Sequence, residues 1–252
     1  MSRTSIKSPA ISITPCDVFD NVGSVTLQGG TVETGEQADF GTQAPTGDGR
    51  VFAWSQGTTT LVAGKVYQSP AQDTTNLQDL SVAAAAIGDT QVVTTGASVT
   101  VGVNALKNGY MVVRSGTGAG NTYVVASNVA ASAGNLTVTL ADPIRVALDT
   151  TSVVDFSYNP YYGVILAPAT ATGAPVGVAV AASPANSQGW LQIKGPTAVL
   201  AATTVAIGDE VVLSTGTAGA VVPASGTAGP VIGVALQGIA ANNYGLVNLN
   251  IN

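Results

Sequence analysis

Apolar residues in this chain come in short runs that alternate with polar ones, cut at close intervals by Gly, Asn, Pro and Ser. That is the pattern of strands with one face buried, because successive side chains of a strand point to opposite sides. In Leu136-Thr137-Val138-Thr139-Leu140 the aliphatic residues point one way and the threonines the other. Comparable runs lie at 50–54, 109–115, 122–127, 189–195 and 210–215. The loop GTGAGN at 116–121 joins two of them and predicts a hairpin. Residues 77–86 (LQDLSVAAAA) form the one stretch whose spacing predicts a helix. Strands joined by short turns, with almost no helix signal, predict an all-β protein of small barrels or sandwiches.

The pattern divides the chain in three. Residues 1–30 carry scattered apolar side chains and two prolines without a strong period, and read as an extended arm. Thirty extended residues span up to about 100 Å. With Ile6, Ile11, Ile13, Val18 and Phe19 the arm is too apolar for a plain linker, so it is expected to dock on its own body or on a neighbouring subunit. Residues 31–160 and 161–252 are expected to form two β domains, with a break at SYNPYYG, 157–163. The two parts echo each other: AAIGDTQVV (85–93) parallels VAIGDEVVL (205–213), and PVGVAV (175–180) parallels VIGVAL (231–236). A tight turn entering a strand explains Ile-Gly-Asp in both places, and a duplicated module is the alternative.

Composition narrows the function. Charged residues make up 9% of the 252 positions, against about 25% in an ordinary soluble domain. The surface must therefore be built from Thr, Ser, Asn, Gly and small apolar residues. Eight basic residues and a net charge of −6 leave no patch to replace the counterions of a nucleic acid. No apolar run is long enough for a membrane-spanning helix, and no signal peptide is recognisable. Synthesis in a cytoplasm is the resulting expectation. Cys16 is the only cysteine, so no intrachain disulfide forms.

Histidine is absent, which removes Ser-His-Asp and Cys-His catalysis and the commonest metal ligand. No nucleophile elbow or phosphate loop occurs; GTGAG at 116–120 leads into a strand and offers no helix N-terminus to a phosphate. Glu33, Glu36 and Asp39 cluster without the spacing of a calcium loop. Asp89, Asp142, Asp155 and Asp209 each sit where turn chemistry accounts for them. Asn135-Leu136-Thr137 is a formal glycosylation sequon with no secretory signal to expose it to the enzyme. The expectation is a non-enzymatic protein with no cofactor and no metal. Aromatic residues gather at Phe52 and Trp54, at Phe156, Tyr158, Tyr161 and Tyr162, and at Trp190. They either anchor a core made otherwise of Val and Ala, or mark a subunit contact at the tyrosine-rich break.

Two stretches carry a resemblance. The first starts in residues 31–70, with the Gly-Asp-Gly-Arg turn (47–50), the strand with Phe52 and Trp54 and LVAGKVYQ, and continues through LQDLSVAAAAIGDTQVV, GYMVVRSGTGAGNTYVV and LTVTLADPIRVALDTTSVVDFSYNPYYGV. The second is GWLQIKGPTAVLAATTVAIGDEVVLSTGTAGAVVPASGTAGPVIGVAL, 189–236. Together they resemble virion structural proteins of tailed bacteriophages, in particular the capsid decoration or cement class. The resemblance implies a protein on the outer capsid surface, forming homotrimers and clamping neighbouring copies of the major capsid protein against internal DNA pressure. It implies no active site; charge and hydropathy leave neither nucleic acid nor membrane as an expected partner. Candidate subunit or capsid contacts are Ile6, Ile11, Ile13, Val18 and Phe19 in the arm, and Tyr158, Tyr161 and Tyr162 at the break. A phage fibre or adhesin that binds carbohydrate is the competing expectation, and a carboxylate-dependent depolymerase a third.

Overall fold

The computed structural model describes residues 38–95, 100–132, 134–225 and 229–251. The arm residues Ile6, Ile11, Ile13, Val18 and Phe19, like Cys16, Glu33 and Glu36, lie outside the described residues. In chain order the strands are β1 (Gln43–Pro45), β2 (Val51–Gly57), β3 (Val66–Gln68), β4 (Leu80–Val82), β5 (Gln91–Thr95), β6 (Tyr110–Ser115), β7 (Thr122–Asn128) and β8 (Leu136–Leu140). They continue as β9 (Val153–Ser157), β10 (Tyr162–Leu166), β11 (Pro175–Ala179), β12 (Gln188–Leu200), β13 (Glu210–Leu213), β14 (Val221–Pro223), β15 (Val231–Ala235) and β16 (Tyr244–Asn250).

The protein is all-β, and no helix occurs among the described residues. The alternation in β8 is as expected: Leu136, Val138 and Leu140 are buried, with Thr137 and Thr139 between them. Residues 116–121 do join the antiparallel pair β6 and β7. The helix expected at 77–86 does not form. Leu80 and Val82 are buried while Ser81 is exposed, a period of two. The amides of Ala83 and Ala85 donate to Val93 and Leu148, so distant strand partners take the bonds a helix would need. Helix propensity of the alanine run is a few tenths of a kcal/mol per residue, and tertiary pairing overrides it.

Strands β4 to β9 close a six-stranded barrel in the order β4-β5-β8-β7-β6-β9. Its interior is filled by Val92, Met111, Tyr123, Val138, Phe156 and their neighbours. The other ten strands form one sheet. Strands β2 and β3, placed by sequence with the first β domain, pair with strands that follow residue 161, and β1 pairs with β2. The break near residue 160 is where the chain leaves the barrel, but the barrel is inserted between β3 and β10 rather than preceding a separate domain. Pairing between distant strands is set by side-chain fit across the sheet, which periodicity along the chain does not report.

The pairings of the ten-stranded sheet close on themselves twice. In ring A, β2 pairs with β10, β10 with β3, β3 with β11, β11 with β12, and β12 returns to β2. In ring B, β12 pairs with β16, β16 with β15, β15 with β13, β13 with β14, and a bridge from Val221 to Ala201 completes the circuit. The thirteen-residue β12 serves both rings, residues 188–194 in A and 194–200 in B. Closure leaves few unpaired strand edges to template aggregation.

Rings A and B are structural repeats. Gly177 opposes Tyr67 and Gly233 opposes Val211, and each pairing has a register shift one step later, at Pro175 and Val231. Trp54 opposes Trp190 in ring A as Ala198 opposes Leu246 in ring B. Leu61, Tyr67, Val164, Val176, Ala179 and Leu191 fill ring A. The matching positions in ring B, Val205, Val211, Val221, Ile232, Ala235 and Val247, are all buried as well. The sequence echo of PVGVAV and VIGVAL is thus the same strand in two rings.

The turn echo is equally real. Asp89 Oδ2 accepts from the Ala86 amide at 2.7 Å, and Asp209 Oδ2 from the Ala206 amide at 2.9 Å. Gly88 and Gly208 stand at φ 96° and 84°, which only glycine adopts at little cost. Both turns follow an isolated bridge, Ala85 to Leu148 and Val205 to Ile239. Ring A has the same device at Leu61, bridged to Ser183, with Gly64 at φ 74° and Lys65 in place of the aspartate. The six-stranded barrel therefore shares its entry turn with both rings.

Candidate functional site

The tyrosine-rich break is a joint between the barrel and ring A. Asn159 is buried; its Nδ2 donates to the carbonyl of Phe40 at 2.9 Å, and its Oδ1 accepts from the Tyr161 amide at 2.9 Å. Tyr162 stacks at 5.5 Å from Phe40 and 6.3 Å from Tyr158. Tyr158 packs on the barrel core and Tyr161 on the ring cores. Lys107, from a barrel loop, pairs with Asp39 at 2.7 Å. All three tyrosines keep part of their surface in solvent. Burial pushes the Tyr158 and Tyr161 phenols above their ordinary range, Tyr158 also through the negative charge of Asp73. A cleft of about 260 Å³ opens beside the joint, lined by Asp73, Leu77, Tyr158, Pro160 and Thr172 among others.

The carboxylates do not converge. No group of three or more His, Cys, Asp or Glu that could hold a metal occurs among the described residues. Asp89 and Asp209 close turns, and Asp155 accepts from the Asp79 amide while Asp79 pairs with Arg114. Asp149 is held below the ordinary carboxylate range by the Thr151 and Thr117 hydroxyls and the Thr151 amide. Asp48, in the β1–β2 turn, is lowered to about 2, first by the Thr46 hydroxyl at 2.5 Å and then by the Arg50 amide and side chain. Asp48, Asp89, Asp149 and Asp209 thus organise turns, while Asp155, within β9, holds the Asp79 amide of the preceding loop.

The chemistry of the surface is instead apolar and repeated. Ile87 and Ile207, at the tips of the matching Ala-Ile-Gly-Asp turns, are 69% and 72% exposed. The outward faces of the two rings differ. On ring A, Trp54 and Trp190 are 6% and 5% exposed, because the segment carrying Ala38, Phe40 and Ala44 packs with them, Phe52 and Val180. On ring B the matching outward residues are Leu246 and Leu236, at 38% and 43% exposure, with exposed Ala198 between neighbours Pro196 and Tyr244. A groove of about 470 Å³ runs beside that face, between Val180 and Gln192 of ring A and Pro196, Ala198 and Tyr244 of ring B.

Sequence reasoning placed the aromatic clusters but missed the ring B face. Its signal was present: Tyr244, Leu246, Asn248 and Asn250 alternate with buried Gly245, Val247 and Leu249, so two large apolar residues lie on the solvent side of a strand. No protein-family model, curated protein or solved structure matches this chain.

Proposed function

We propose that the protein is a non-enzymatic virion structural protein. In this reading it decorates the outside of a tailed-phage capsid as a homotrimer and stabilises the shell by clamping neighbouring major capsid subunits. The observation that carries the reading is the pair of matching turns that hold Ile87, on the six-stranded barrel, and Ile207, on ring B, out in solvent. An exposed isoleucine gains roughly 1.5–3 kcal/mol when a partner buries it, and a rigid turn loses little entropy in delivering it. Many such contacts repeated over a shell add through multivalency, so each one can be weak. The dispersal of the carboxylates among loops supports a binding role over hydrolysis.

The test uses purified protein and expanded, undecorated phage shells. Saturable binding, with a higher temperature of shell rupture, is the expected result. Ile87→Asp and Ile207→Asp should each weaken binding while the protein stays folded. Absence of binding, or binding that leaves rupture unchanged, overturns the proposal. Binding to glycans in place of shells would favour a fibre or adhesin.

A further inference from the structure

Rings A and B share their pairing, their register shift and their six inward positions, yet only ring A has its outward face covered. The cover is the piece of this chain that leads into β2, a turn at 39–42 followed by β1: Ala38, Phe40 and Ala44 pack on Trp54, Trp190 and Val180. Ring B presents the same positions as Ala198, Leu246 and Leu236, and continues them with exposed Val234 and Tyr244. Apolar side chains that adjoin each other on a sheet face, beside a groove of about 470 Å³, mark a docking surface.

We propose that the ring B face is the docking site for this chain's own N-terminal segment, residues 1–37, centred on Ile11, Ile13, Val18 and Phe19. Three observations select that occupant. On ring A the matching face is covered by a segment of this chain that bears Phe and Ala and lies directly before β2. The segment immediately preceding Ala38, which already packs on ring A, supplies apolar residues at 11, 13, 18 and 19. A tether of 37 residues has a root-mean-square reach of at least about 30 Å, which keeps the segment at high effective concentration over its own body. Docking in the same chain therefore outcompetes docking from another copy in dilute solution.

The single native thiol makes the test direct in the full-length protein. Cys16 lies within the proposed segment, so Leu236→Cys or Leu246→Cys provides a partner thiol on the face, each substitution standing in if the other fails to fold. Val129→Cys, exposed on the six-stranded barrel, is the control. Under mild oxidation the face variants should form an intrachain disulfide with Cys16 about tenfold or more faster than the control. Adding Ile13→Asp and Phe19→Asp should bring the rate down to that of the control. Equal rates at face and control, rates unaffected by the aspartates, or disulfide-linked dimers in place of the intrachain product would each overturn the proposal. None of these outcomes depends on whether the protein binds capsids.

Discussion

Trp54 and Trp190 face each other across β2 and β12 with ring centroids 4.9 Å apart and planes at 62°, an edge-to-face contact. They are the only two tryptophans in the chain, so intrinsic tryptophan fluorescence reports on ring A alone. Trp190→Ala should destabilise the protein by about 3–5 kcal/mol, through lost burial and the cavity left against Phe52 and Val180. Denaturant titration followed by circular dichroism measures the loss; a change below about 1 kcal/mol would mean that the pair is not packed as described.

Gly177 and Gly233 occupy the same position in the two rings, and neither leaves room for a methyl group. A Cβ at Gly177 would lie 2.7 Å from Cβ of Leu191, and one at Gly233 would lie 2.2 Å from the Asn248 carbonyl oxygen. Gly177→Ala and Gly233→Ala should each cost about 1–3 kcal/mol of stability from overpacking. Gly47→Ala, at a position with open space around it, should leave the melting temperature nearly unchanged. Thermal unfolding of the three variants checks the contrast.

Asp89 and Asp209 each accept an amide hydrogen bond across a matching turn. Asp89→Ala and Asp209→Ala should each cost about 0.5–1.5 kcal/mol, the net worth of such a bond. One turn enters the six-stranded barrel and the other ring B, so the double variant should lose the sum of the two. A marked departure from additivity in urea unfolding would show that the turns are coupled.

Asp48 binds its proton only in strong acid, with a midpoint of about 2, because its carboxylate accepts from Thr46 and Arg50. The folded value lies below the unfolded one, so its contribution to stability is full above the ordinary carboxylate range near 4 and is lost as pH falls through about 2. The carboxyl carbon resonance should titrate with that midpoint. Asp48→Asn should remove the acid-dependent step in the β1–β2 turn, and a midpoint near 4 in the native protein would contradict the geometry.

Asn159 ties the barrel exit to Phe40 and Tyr161 from within a buried position. Asn159→Ala leaves the Phe40 carbonyl and the Tyr161 amide without this partner, at a cost of about 1–3 kcal/mol. The barrel and ring A should then unfold in less closely coincident transitions. Tryptophan fluorescence follows ring A, and Tyr123, buried in the barrel, gives a second probe by NMR.

Much of the fold was legible along the chain, because strands with one buried face must alternate. LTVTL at 136–140 and the hairpin loop at 116–121 needed no tertiary information. The tyrosine-rich break was also visible, although its role as an intramolecular joint depends on Phe40 and Lys107 arriving from elsewhere in the sequence. The alanine run at 83–86 misled, because local propensity is weak beside the hydrogen bonds that Val93 and Leu148 supply.

By itself the sequence determined the class of protein: short alternating runs, frequent turn residues and sparse charge admit only an all-β body. It also carried the echoes at Ile-Gly-Asp and Gly-Val-Ala, since a turn with positive φ and a strand pressed against its neighbour both demand glycine. Only the tertiary structure decided that these echoes are a repeat of rings sharing β12, with a barrel inserted between β3 and β10. Partner choice depends on fit among residues more than a hundred positions apart, as with Trp54 and Trp190. A similar distance separates Phe40 from Val180 and Trp190, half of the face it covers, which is why a covered ring A and an open ring B became distinct only in the folded chain.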